Sequence, residues 1–142
     1  MPQSEVKNFY LPDAAGSKIV TVVKSGAAEA ETILLTEAVA VKENGPKATV
    51  AKFGEVYAFS PNFIAVQENV PTKLTFWNLQ PDDEHDFMLA GPDSRVLMHV
   101  KLAPLTKESW VFTFHMQGLF NFYCAVHQPE MNGQILVLPP AK

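Results

Sequence analysis

From residue 48 onward, apolar and polar positions alternate in short runs: ATVAKFGEVYAF (48–59), FIAVQ (63–67), TKLTFWNL (72–79), DFMLA (86–90), RVLMHVKL (95–102), ESWVFTF (108–114), LFNFYC (119–124) and QILVL (134–138). Between them lie the breakers SPN, ENVP, QPDDE, GPDS, APLT, QG and PEMNG. A period of two, broken at this spacing by turn residues, predicts an all-β antiparallel sandwich or barrel. Eleven prolines suit its edges and turns. The first third reads differently. Residues 1–17 are polar, with Pro12 and Gly16, and form a loose arm. KIVTVV (18–23) is β-branched and strand-like. The Ala and Glu content of 27–36 favours a short helix, with Ser25 placed to cap it. ILLTEAVAV (33–41) would also serve as a strand, and ENGP (43–46) is a turn. The expected organisation is therefore an N-terminal extension, 1–47, and a main β domain, 48–142.

Strand parity then assigns faces. Phe120, Phe122 and Cys124 share one side of their strand, and Leu119, Asn121 and Tyr123 the other. The doubly aromatic side is expected to face the core, which turns the Cys124 sulfur inward at the strand end. Trp110, Phe112 and Phe114 line an inner face in the same way, and His115 falls on the outer side. His99 lies in an apolar strand, where a structural role is expected.

Bulk properties narrow the function. At 142 residues the chain fits one globular core, and its 47% apolar and 18% charged residues exclude a disordered chain. A net charge of −4 argues against nucleic acid as a partner. No apolar run is long enough to cross a bilayer. The opening MPQSEVKNFY lacks a basic stretch followed by an apolar one, so no signal peptide is visible. A single cysteine excludes an internal disulfide and leaves the redox compartment open.

That cysteine carries the chemistry. Cys124, His127 and Met131 fall within one strand–loop–strand unit, bringing thiolate, imidazole and thioether together. Soft sulfur with imidazole selects copper or zinc, and a weak axial thioether favours copper. A mononuclear copper site needs a second imidazole from elsewhere in the chain. His85, in DDEHDF (82–87), is the best candidate; His99 and His115 are spare. Glu130 and Gln128 are alternative axial donors. Structural zinc usually takes four Cys or His ligands, and methionine serves it poorly. Cys–His nucleophilic catalysis is a further rival, for which no orienting group or oxyanion-hole element is visible. Asp82, Asp83, Glu84 and Asp86 form an acidic cluster beside His85, either a solvated loop or a steering surface for a basic partner.

Residues 48–139 resemble a cupredoxin, the blue-copper electron-transfer family. The resemblance rests on FYCxxH followed by Met131, then Gly133 and a last apolar strand, and on EHDF after a strand ending in Asn-Leu. FSPNFIAVQENVPTKLTFWNL (59–79) is also similar to the copper domains of cytochrome oxidase subunit II and nitrous oxide reductase. The resemblance implies a Greek-key β-sandwich holding one type 1 copper. His85 and His127 would be its imidazole ligands, Cys124 the thiolate and Met131 the axial thioether. Dinuclear copper domains need two cysteines in this loop, and this chain has one. Asp86 stands where many blue-copper proteins carry Asn, and Ala125 and Val126 stand where many place Pro.

The function so implied is one-electron shuttling between redox partners, such as a c-type cytochrome or a terminal oxidase or reductase. It is not enzymatic, and the family implies a periplasmic location. Phe87, Phe120 and Phe122 would form the hydrophobic shell around sulfur. The alternative is a copper carrier or resistance protein, though its methionines are scattered at 1, 88, 98, 116 and 131.

Overall fold

A computed structural model describes residues 9–40, 56–125 and 131–140, with side chains for all of these except 37–40 and 56. Ten strands make up nearly all its regular structure: β1 (Val20–Val23), β2 (Ala30–Ala40), β3 (Val56–Ser60), β4 (Phe63–Gln67), β5 (Thr72–Trp77), β6 (His85–Ala90), β7 (Val96–Leu102), β8 (Lys107–Phe114), β9 (Gly118–Tyr123) and β10 (Asn132–Leu138). One 3-10 turn, Gly16–Lys18, precedes them.

They form two five-stranded sheets, ordered β1-β8-β5-β2-β3 and β4-β10-β9-β6-β7. Most neighbours are antiparallel. Two pairs are parallel: β2 runs with β5 through Ile33↔Thr75, and β4 with β10 through Ile64↔Ile135. The sheets close face to face on one core, in which inward side chains alternate with outward ones as the period of two requires. Leu34, Leu74, Phe76, Phe112 and Phe114 come from the first sheet, and Phe87, Leu89, Phe120, Phe122 and Ile135 from the second.

The helix expected over 27–36 does not form. Residues 30–40 are β2, seated between β5 and β3. The local Ala and Glu preference is worth only a few tenths of a kcal/mol per residue. Burial of Leu34 and Thr36, together with two ladders of backbone hydrogen bonds, outweighs it. The strand expected over 18–23 is present as β1, an edge strand on β8. The turn at 43–46 and the first part of the run 48–59 lie outside the described residues.

The arm that precedes β1 pairs with the edge of the second sheet, along β7. Tyr10 and His99 exchange backbone hydrogen bonds of 2.6 and 2.9 Å. Gly16 packs beside Leu97, which is buried although it lies out of phase with the inward residues Met98 and Val100.

Candidate metal centre

Cys124 directly follows β9, and parity carries its side chain to the inner face with Phe120 and Phe122; all three are fully buried. The Phe122 ring meets Phe87 and Phe59, each at 5.4 Å between centroids. Gly133, opposite Phe122 on β10, is required by close approach. A Cβ there would lie 2.3 Å from the Phe122 ring and 2.5 Å from the Asn62 carbonyl oxygen. The sulfur therefore sits at the end of a rigid aromatic slab, shielded from water.

Met131 returns to the same place. The Cys124 N–H donates to the Met131 carbonyl at 2.9 Å, which closes the base of the intervening loop. The Met131 side chain is fully buried in the core cluster that contains Cys124.

His85 arrives from β6. Its parity matches that of Phe87 and Leu89, so the ring points inward and is fully buried. Its Nε2 lies 2.8 Å from Gln80 Oε1, and its Nδ1 lies 4.0 Å from Cys124 Sγ. A carboxamide oxygen only accepts, so Nε2 carries the proton and Nδ1 turns its lone pair toward the sulfur. Tyr57 meets the imidazole edge-on at 4.9 Å. Gln80 is itself held. Thr36 Oγ1 reaches both its Oε1 and Asn78 Oδ1, and the Gln80 N–H donates to Asn78 Oδ1 at 3.0 Å. Asn78 Nδ2 donates to the carbonyls of Asp83 and Leu102, each at 2.9 Å. Neither Gln80 nor Thr36 was legible as a site residue. A glutamine before a proline-led turn reads as solvated, and Thr36 lay in a segment with two possible structures.

The structure thus brings His85, Cys124 and Met131 together, while His127, Gln128 and Glu130 lie outside the described residues. Metal–thiolate and metal–imidazole bonds sum to about 4.3 Å, so Cys124 and His85 are close enough that they would be able to hold one ion together. A buried thiol and imidazole, with a buried methionine joined to the cysteine through the backbone, are the residue types of a donor set suited to copper. Among the described residues, no three of His, Cys, Asp and Glu converge. The other two histidines are engaged elsewhere. His115 is exposed, with Nε2 at 2.7 Å from Thr21 Oγ1 and Nδ1 at 2.9 Å from Asn69 Oδ1. His99 pairs with Asp86.

The acidic cluster is largely spent on internal contacts. Asp83 accepts from the Tyr57 hydroxyl, and Glu84 pairs with Lys101 at 2.7 Å. Asp86 is buried, and its Oδ1 accepts the Ala125 N–H at 2.8 Å.

The two-sheet sandwich, with its strand order, has the cupredoxin fold. Solved structures agree. An auracyanin from Roseiflexus castenholzii superposes with a TM-score of 0.58 at 16% identity, over 80% of this chain and 100% of that one. A Cu(I) amicyanin variant gives 0.52 at 16% identity, over 84% and 99% of the two chains. A multicopper oxidase from Campylobacter jejuni, described as a metallo-oxidase, gives 0.62 at 9% identity, over 82% of this chain but 31% of that one. No protein-family model and no curated protein matches the sequence.

Proposed function

We propose that this protein is a mononuclear copper electron-transfer protein, with His85, Cys124, His127 and Met131 as ligands. The observation that carries the reading is a buried thiol facing an imidazole whose tautomer is already fixed. Bound copper would supply a one-electron Cu(I)/Cu(II) couple. The chain's own part is to hold its donors still. β9 and the aromatic slab fix Cys124, and Gln80 fixes the His85 ring. The Cys124–Met131 hydrogen bond fixes the thioether's return. A frame that does not rearrange between oxidation states exchanges an electron at low cost. Four protein ligands would leave no open position for a substrate, so the reading is non-enzymatic.

Its partners are redox proteins, such as a c-type cytochrome or a terminal oxidase or reductase, reached through the His127 end of the molecule in a periplasmic setting. Copper carriage is less well supported, because a buried donor set enclosed by strands suits retention rather than release.

The visible and EPR spectra of the copper-loaded protein test the assignment. An intense thiolate-to-copper band is expected. Cys124→Ser should abolish it, and Met131→Gln should keep copper while moving the band and the potential. A colourless loaded protein with a titratable thiol would sink the proposal.

A further inference from the structure

The outer face of β6 and β7 carries a buried charge that the ligand set does not use. Asp86 and His99 lie on neighbouring strands, with Asp86 opposite Lys101 and His99 one pleat along the same face. His99 Nε2 meets Asp86 Oδ2 in a short contact, and both side chains are mostly withdrawn from solvent. The carboxylate's other oxygen accepts the Ala125 N–H at 2.8 Å, the first amide of the loop after the cysteine. The Asp86 N–H itself lies 3.5 Å from Cys124 Sγ. One residue thus grips the thiolate and the loop beyond it, and His99 grips that residue from behind.

The N-terminal arm closes the stack. The Phe9 ring lies 4.8 Å from the His99 ring, and Tyr10 bridges to the His99 backbone. Burial first, then Tyr123 and Asp13, pushes the Tyr10 phenol above its ordinary value. A carboxylate in a poorly solvated site is costly unless its lone pairs are filled. Ala125 fills one oxygen and His99 the other.

We infer that His99 is a positioning residue for the thiolate site, acting through Asp86, with the N-terminal arm as its backing. The inference rests on the copper reading above. Donation from His99 withdraws negative charge from Asp86, so losing it leaves more negative charge beside the thiolate and favours Cu(II).

The test is a double-mutant cycle on the full chain, read at one pH above the carboxylate range. His99→Ala should lower the midpoint potential by a change of about tenfold in the Cu(I)/Cu(II) affinity ratio, the low end for outer-shell partners, or about 59 mV for one electron. Asp86→Asn should raise it. In the Asp86→Asn background, His99→Ala should lose most of its effect, since the charge it offsets is gone. His99→Gln, which restores an N–H donor, should return the potential toward wild type and serves if the alanine variant fails to fold. Hydrogen exchange of the Ala125 amide in metal-free protein gives a readout without copper, with faster exchange expected in His99→Ala. A thiolate band with a potential and an Ala125 exchange rate indifferent to His99 would overturn the inference alone. Equal shifts in both backgrounds would do the same. Absence of any thiolate band would instead remove the copper reading, and unchanged Ala125 exchange would then remove the positioning role as well.

Discussion

Removing the Gln80 carboxamide tests how the His85 ring is held. Gln80→Leu would leave a buried Nε2–H without its acceptor, at about 1–3 kcal/mol, and would free the tautomer that aims Nδ1 at sulfur. Urea unfolding of the metal-free variant should show that loss. A competition titration should show copper affinity down by about 10–100-fold, the usual effect of an outer-shell partner. At this scale the sequence was readable where parity alone decides. Phe120, Phe122 and Cys124 alternate with Asn121 and Tyr123 and are buried as expected. It was unreadable where a polar residue is buried by something distant. Gln80, Thr36 and Asp86 give no sign of burial until strands from other parts of the chain cover them.

β2 is the element on which sequence and structure part. Ala and Glu signalled a helix, yet β5 on one side and β3 on the other recruit the segment as a strand. Its central place makes a strong prediction. Leu34 is buried between the sheets, so Leu34→Ala should cost about 2–5 kcal/mol, seen as a lower urea midpoint with an unchanged slope. A helical surface extension would lose far less. Most other strands were legible because their breakers are explicit, and apart from β3, whose expected start lies outside the described residues, boundaries moved by only a residue or two. Elements within the stretch whose period was mixed could not be told apart locally, since helix and strand preferences there differ by less than the tertiary contacts that decide between them.

Taken as a whole, the described residues form a two-sheet sandwich, and the ligands proposed above come from separate segments of it, so the proposal links metal binding to folding. Copper bound only by the native state stabilises by about 4.1 kcal/mol at a thousandfold excess over Kd. For a chain of this size that raises Tm by roughly 8–16 °C. Scanning calorimetry of copper-loaded against chelator-treated protein should show this rise, and Cys124→Ser should lose most of it. The sandwich class was readable from the whole pattern of runs and breaks. The pairing order was not, because parallel partners such as β4 and β10 come from opposite ends of the domain and nothing local marks them.

That parallel pairing bears on the protein's biogenesis. β10 is the second strand of its sheet yet the last to be made, and it must slot between β4 and β9, which are synthesised earlier. Such sequence-distant pairing is slow to form, and the nascent chain holds an unfinished sheet until residue 138 is released. Until then Cys124 lacks the cover that β10 and Met131 give it, and the thiol is more open to oxidation than in the finished sandwich.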